Sequence, residues 1–503
     1  MPAMTPQTLL HHYDSAALWP AAPSADPAYT LAAAYQDALD LSATSSNARL
    51  GVVSGATGIA ATATGDVTVR AITAGSLAGN LTLGLTSKAL SGSGLADGSL
   101  ANGTVAVTGA AFDLATATVA SSLTLNNVRT GTLTNVSVGN VVTTSAAFQD
   151  SLDVAATSSN GKLTLTNPAN IAAGASRNLV VNAATAGDLG ATLTLGLTSN
   201  ANGVNGLSNA GLTAQTVAVT GAAYDLARPT VASTLALGNR RVGYAADLNI
   251  ANTTLTSASF QDSLDVTSAT SNAKLTLGSV ANILAGADRN LVVTAATAGD
   301  LGATLTLGLT SNANNVAGLT NAALAAKTVA VTGAAYDFAN ASVGSTLALG
   351  NIRRGAAYNL GVTNATITAA AYQDSLRVAA TSSDTGALTV TSPADILAGA
   401  SGNVTVSAAA AGVLTGVNVS LGLTSKALAA SGLADGTTTT QSVAVTGTAY
   451  DYAVAAVAGS FDLGNVRVGA TKTLAVGNTV TTSATYQDAL AVSVLAAGNA
   501  KLG

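Results

Sequence analysis

The feature that most limits what this chain can fold into is that it copies itself at a domain-sized interval. Phe148-Gln149-Asp150 recurs as Tyr35-Gln36-Asp37, Phe260-Gln261-Asp262, Tyr372-Gln373-Asp374 and Tyr486-Gln487-Asp488, and successive glutamines lie 113, 112, 112 and 114 residues apart. A second marker, Val-Ala-Val-Thr-Gly followed by Phe-Asp or Tyr-Asp, ends at Asp113, Asp225, Asp337 and Asp451, at intervals of 112, 112 and 114. Ala183 to Asn202 match Ala295 to Asn314 at all 20 positions, so a whole unit has been duplicated. A period of this length suits a small domain, whereas solenoid coils repeat every 20 to 50 residues or so.

Cutting the chain at the second marker predicts an irregular leader over 1–28, full repeats over 114–225, 226–337 and 338–451, and two partial ones. Residues 29–113 correspond to the later strands of a repeat and 452–503 to the early strands. Within 114–225 the short Val-, Leu- and Thr-rich runs predict strands near 119–125, 132–137, 141–148, 151–156, 162–166, 178–184, 191–198 and 215–220. Thr192-Leu193-Thr194-Leu195 alternates as a half-buried strand does, while Leu179-Val180-Val181 is an apolar run suited to a more enclosed one. Seven or eight short strands in such a length predict an all-β chain of tandem immunoglobulin-like β-sandwich modules. The alternative is a β-helix of short coils, which Ala, Gly, Thr and Asn would also suit, but no shorter sub-period is visible.

Composition restricts the chemistry. All 24 acidic residues are aspartate, cysteine is absent, the two histidines are His11 and His12, and only 9% of residues are charged. Thiol nucleophiles, disulfides, Glu acids and a repeated His are therefore ruled out, and no Ser-His-Asp set can be assembled in the repeats. No enzyme activity, catalytic residue, cofactor or metal site is expected. His11 and His12 read as part of a polar tail rather than a transition-metal site. A formal charge of -5 gives no basic footprint for nucleic acid, and no apolar run is long enough to span a membrane as a helix. With 3% aromatics, the cores must be aliphatic.

Leu463-Gly464-Asn465-Val466-Arg467-Val468-Gly469 has counterparts in Leu125-Asn126-Asn127-Val128-Arg129-Thr130-Gly131, Leu237-Gly238-Asn239-Arg240-Arg241-Val242-Gly243 and Leu349-Gly350-Asn351-Ile352-Arg353-Arg354-Gly355. With the strand end Asn252-Thr253, the turn Gly174-Ala175-Ser176 and the close Val219-Thr220-Gly221, this motif resembles the ASH-type immunoglobulin-like module in its bacterial form, choice-of-anchor D. Leu stands where the family opens with Phe, and Thr62 where the first copy should have the turn glycine. The resemblance covers residues from about 30 to 503 and implies bacterial β-sandwiches at the cell surface.

Two readings of the charged residues follow from position. Arg129, Arg241, Arg353 and Arg467 are expected to pair with Asp113, Asp225, Asp337 and Asp451 at module junctions, where exposed pairs would orient more than stabilise. Asp40, Asp153 and Asp265 follow three residues after Asp37, Asp150 and Asp262, but that spacing along a strand places them on opposite faces, which argues against a shared calcium ion.

The expected function is structural: an extracellular or cell-surface rod or fibre of repeated sandwiches. The alternative is an adhesin-like module whose loops bind surface glycan or protein. No Lys or Arg precedes Arg49, so an export signal is not visible. The partial repeats look complementary, since 452–503 holds the Leu-Gly-Asn-Val-Arg opening that 29–113 lacks, and the reverse holds for the closing strands. The partner this suggests is a second copy of the chain, joined head to tail; the alternative is that the partial repeats belong to a longer surface array of which this sequence is a piece.

Overall fold

Alternation sets the architecture. In Ala191–Asn200 the buried side chains are Leu193, Leu195, Leu197 and Ser199, every second residue, with Thr on the other face. Ser176–Ala183 buries Leu179, Val181 and Ala183 in the same way. Val180 is half-buried, so this apolar run has one inner face and not two. A strand with one buried face needs a second sheet against it, and the computed structural model, which describes residues 35–493, 498–499 and 501, supplies one. The expected leader lies outside the described residues.

In 114–225 one sheet runs Ala117–Val119, Leu133–Asn140, Ser176–Ala183, Leu163–Thr166, and the facing sheet runs Ser122–Arg129, Ala210–Tyr224, Ala191–Asn200, Ser151–Ser158. Every ladder along these two orders is antiparallel except one: the opening strand Ser122–Arg129 lies parallel to the closing strand Ala210–Tyr224. The same parallel pair joins Thr234–Arg241 to Ala322–Tyr336 and Thr346–Arg353 to Thr438–Tyr450. The chain is therefore all-β and built of repeated sandwiches. A β-helix, which stacks parallel rungs, is excluded.

Between the sheets lie cores whose fully enclosed members are aliphatic; the buried aromatic among the described residues, Tyr336, packs its ring against Tyr372 at the end of its closing strand. Val138, Leu152, Ile171, Leu179, Leu189, Leu193, Leu195 and Val217 are fully enclosed in one, and Ile250, Leu264, Ile283, Val293, Leu301, Leu305, Leu307 and Val329 in the next. A third gathers Val362, Val404, Val406, Val419, Leu421 and Val443. Each of the larger side chains contributes about 1.5–3 kcal/mol on full burial. The core within 35–113 is far thinner, with Leu50, Leu81 and Leu83 as its buried members.

One expected strand is absent. Residues 141–148 form a bend and a 3-10 turn, Ala146–Phe148. The Gln149 side chain takes over the backbone groups a ladder would have used: its amide donates to the Val141 carbonyl at 2.7 Å and its oxygen accepts from Thr143 N–H at 2.8 Å. A side chain that satisfies local backbone groups competes directly with sheet formation.

The Leu-Gly-Asn motif is a bulge. Register along the parallel pairs shifts between Thr124 and Asn126, Ala236 and Gly238, and Ala348 and Gly350. The ladder skips Leu125, Leu237 and Leu349, and the residue after each is left-handed, at φ 57° for Asn126, 65° for Gly238 and 67° for Gly350, the conformation that Gly and Asn tolerate best. Opposite it stands the glycine of the closing Thr-Gly. A Cβ on Gly333, at φ 144°, would sit 2.4 Å from the Gly238 carbonyl oxygen. Gly221 and Gly447 meet Asn126 O and Gly350 O at 2.5 and 2.6 Å.

Contact density divides the chain into two compact units. One takes the described residues up to Leu226 with Leu255–Asp262 and Ala313–Thr320, and the other takes Ala227–Thr254, Ser263–Asn312 and the remainder from Asn321. No helix among the described residues is long and apolar enough to cross a membrane. Gly333→Ala is expected to destabilise its unit by about 1–3 kcal/mol in denaturant unfolding, through the clash and the disfavoured φ. Gly238→Asn, the residue the first full repeat already uses, should stay within about 0.5 kcal/mol.

Candidate junction site

The two sequence markers are two sides of one contact. In the first unit the turn Ala146–Phe148 sets the Phe148 ring 5.6 Å from that of Phe112. It also delivers Gln149 and Asp150 alongside Asp113: Asp113 N–H donates to Phe148 O at 2.9 Å, and Asp150 N–H donates to Asp113 O at 3.0 Å. Parallel bridges of the same kind form at Asp225–Gln261, Asp337–Gln373 and Asp451–Gln487. Ring pairs accompany them at Tyr224–Phe260, Tyr336–Tyr372 and Tyr450–Tyr486, with centroids 5.4, 5.6 and 6.1 Å apart.

The turn is held from below by a buried amide. Asn140 is 1% exposed; its Nδ2 donates to Asp150 O and Ile171 O at 2.9 and 3.0 Å, while its Oδ1 accepts from Thr116 N–H and Gln149 Nε2, both at 3.0 Å. Ser199, fully enclosed, accepts from Ala115 N–H at 2.8 Å and donates to Asp150 Oδ2 at 2.7 Å. The second unit reproduces this around Asn364: Nδ2 to Asp374 O and Ile396 O at 2.9 and 3.1 Å, and Ser425 Oγ to Asp374 Oδ2 at 2.7 Å. Sequence reasoning missed Asn140, Asn364 and the serines. The signal was present, since Asn140, Asn252, Asn364 and Asn478 keep one phase with the glutamines.

Three of the four arginines meet aspartates, but not the expected ones. Arg129 Nη1 lies 2.8 Å from Asp262 Oδ1, Arg241 Nη1 2.9 Å from Asp374 Oδ2, and Arg353 Nη1 2.5 Å from Asp488 Oδ2. The partner is thus the aspartate of Gln-Asp, and not Asp113, Asp225, Asp337 or Asp451. Register supplies the reason: Arg129 stands opposite Tyr224, the residue before Asp225, so its long side chain reaches past the end of the closing strand to the next turn. There the guanidinium fork finds a carboxylate and a carbonyl together, the geometry Arg is suited to. Arg129 Nη2 donates to Thr320 O at 2.9 Å and Arg241 Nη2 to Ala434 O at 2.8 Å. Asn127 and Asn239 each donate to a loop carbonyl beside these, Ala317 O and Ser431 O, both at 2.9 Å.

The closing-strand aspartates have other roles. Asp225 Oδ1 accepts from the Thr130 hydroxyl at 3.0 Å, Asp337 offers its carbonyl to Arg241 at 3.5 Å, and Asp451 pairs with Arg354 at 3.2 Å. Arg241 also covers the Phe338 ring at 4.3 Å, and Arg353 the Tyr452 ring at 4.5 Å. Arg467 makes no ion pair among the described residues, nor does Asp113.

The calcium reading finds carboxylates already engaged. Asp153 accepts from Asn170 N–H at 2.6 Å and Asn200 Nδ2 at 2.7 Å, and Asp265 from Asn282 N–H and Asn312 Nδ2 at 2.8 and 2.6 Å. In the third full repeat Arg377 takes this place and pairs with Asp395 at 3.1 Å. Among the described residues no group of three or more metal-ligating side chains is gathered.

No protein-family model matches the chain, and no curated protein matches it. Solved structures are similar at low level. The human desmocollin-1 ectodomain matches at 10% identity over 90% of this chain and 79% of that one, with a TM-score of 0.27. Domains 4–9 of the surface layer protein SbsC match at 13% identity over 88% and 63%, with a TM-score of 0.17. An endo-fucoidan hydrolase of glycoside hydrolase family 107 matches at 14% identity over 59% and 39%, with a TM-score of 0.19. Likeness at this level assigns neither family nor activity.

The same ion pair is buried in one place and exposed in another, which separates its two energetic regimes. Asp374 is fully buried beneath a mostly covered Arg241, while Arg353 and Asp488 are 40% and 36% exposed. Arg241→Ala strands a buried carboxylate and is expected to cost about 3–5 kcal/mol. Arg353→Ala should cost about 0–1 kcal/mol. Parallel denaturant unfolding of the two variants checks the difference.

Proposed function

We propose that the chain is a non-enzymatic structural protein of the cell surface or extracellular space, a fibre-forming array of ASH-type sandwiches that spaces or adheres. The observation that carries this reading is how the chemistry-bearing residues are used. The Arg, Asp, Asn, Gln and Ser that composition leaves for catalysis or binding are the ones that tie each closing strand to the turn that follows it. Their arrangement recurs with matching partners at Arg129–Asp262 and Arg241–Asp374. An active site would set one copy apart; here the copies share one arrangement.

The finer part of the reading is head-to-tail joining through the partial repeats. The described part of 452–503 contributes no buried apolar side chain, and leaves Tyr452, Val457, Val466 and Val468 exposed. An exposed apolar surface on this scale favours association. Electron microscopy of the purified chain across a concentration series tests it: linear particles one chain wide that lengthen with concentration are expected. A particle of constant length at every concentration would overturn the joining. Antibody labelling of intact against permeabilised cells tests the location, with signal on intact cells expected.

A further inference from the structure

Among the described residues the sites of the joint are not all paired. There are five Gln-Asp aspartates, Asp37, Asp150, Asp262, Asp374 and Asp488, and four opening-strand arginines, Arg129, Arg241, Arg353 and Arg467. Three pairs form, and they leave Arg467 on one side with Asp37 and Asp150 on the other. Asp150 keeps its Ser199 hydroxyl at 2.7 Å but meets no cation among the described residues. It is 5% exposed, where Asp262 and Asp374, each under a guanidinium, are 2% and 0%.

We propose that Asp150 receives Arg467 from a second copy of this chain, with residues 460–467 of that copy adding as a parallel strand to the leading partial repeat. This rests on the head-to-tail reading and specifies its contact. The strand Gly103–Val107 holds the place of a closing strand, and its ladder is to Gly79–Lys88 on one side. In every full repeat the strand in that place also carries a parallel opening strand on its other side. Residues 460–467 hold the place of an opening strand and have no ladder partner among the described residues.

Both halves of the bulge lock already have the required shape. Gly464 is left-handed at φ 59°, like Gly238 and Gly350, and Gly109 lies at φ 129°, like Gly221 and Gly333. A Cβ on Gly109 would meet nothing within 4 Å, whereas those on Gly221 and Gly333 would meet the bulge carbonyl. Copying the register of Ser122–Arg129 against Ala218–Tyr224 sets Phe461 opposite Val107, Gly464 opposite Gly109, Val466 opposite Ala111 and Arg467 opposite Phe112. Arg467 then reaches Asp150 as Arg129 reaches Asp262, and Asn465 reaches the Asn205 carbonyl as Asn127 reaches that of Ala317. Pairing Arg467 with Asp37 instead would leave Gly103–Val107 with its single ladder among the described residues, to Gly79–Lys88.

Because the chain has no cysteine, an engineered pair reports the register directly. Ala111→Cys with Val466→Cys in one full chain, mildly oxidised, should give covalent multimers on a denaturing gel. Arg467→Ala without cysteines should weaken association in sedimentation by about a hundredfold to a few thousandfold, the effect of stranding a buried carboxylate, while Arg70→Ala should not change it. If the unmodified chain never associates, the head-to-tail reading falls and this contact with it. If it associates but Arg467→Ala is unchanged and no covalent multimers form, the reading survives and the Arg467–Asp150 contact is overturned. A covalent species of one chain only, or weakening by Asp37→Asn rather than Asp150→Asn, also overturns it. Asp150→Asn is the variant at risk of misfolding, and the cysteine pair keeps the test independent of it.

Discussion

The parallel ladder between the first and last strands of a repeat is the constraint on which the rest depends. A sandwich of antiparallel strands can close in several registers. A parallel pair that carries a left-handed bulge against a close-approaching glycine closes in one, because a slip by a residue would drive a Cβ into a carbonyl and invert both faces. In this chain Asn126, Gly238 and Gly350 sit opposite Gly221, Gly333 and Gly447. Once that register is set, Arg129 must end opposite Tyr224 and Arg241 opposite Tyr336. The joint is therefore a consequence of closure, since the strand that seals the sandwich is also the one that carries the guanidinium.

The second layer of the design is a buried polar network that works without buried glutamate or histidine. Asn140 uses both amide hydrogens and two acceptor positions on its oxygen, which is full satisfaction of an amide. Its four partners come from three places, Thr116 after the closing strand, Gln149 and Asp150 of the Gln-Asp turn, and Ile171 of the next loop, so one side chain fixes three backbone paths. An unmet buried amide would cost about 1–3 kcal/mol per group, which makes the arrangement all-or-none. In the 452–503 segment Asn478 makes the corresponding bonds to Val454 N–H, Asp488 O and Gln487 Nε2 at 3.0, 2.8 and 3.0 Å, but exposed to water. Local hydrogen bonding thus forms the turn even where no core lies over it.

The repeat and its strands were legible because period and alternation are local signals: Leu193, Leu195 and Leu197 point inward as Thr192-Leu193-Thr194-Leu195 predicted. The joint was half legible. Sequence identified the arginines and both aspartate markers, yet pairing depends on which carboxylate lies beyond the end of a strand, and two aspartates per repeat fit equally well until the register is known. The missing strand at 141–148 was obscured for a related reason. Its Val and Thr content favours a strand, and the competing interaction comes from one glutamine whose amide folds back on Val141 and Thr143.

Copies within one chain also show which contacts tolerate change. At the loop lock, Asp153 holds the backbone N–H of Asn170, while the third full repeat substitutes Arg377 and answers with Asp395 in place of that asparagine. A carboxylate–amide contact has become a guanidinium–carboxylate pair, and the strand still bridges the loop, at Leu152–Ile171 and at Leu376–Ile396. The site is exposed, so the exchange of one polar pair for another costs little. At the joint the arginine and the Gln-Asp aspartate do not vary in any full repeat. At Arg129–Asp262 and Arg241–Asp374 the carboxylate is buried, and a change of the arginine alone would leave a charge out of water with nothing to balance it. Where the carboxylate is buried, that burial removes the freedom to alter the contact which the exposed Arg377–Asp395 exchange retains.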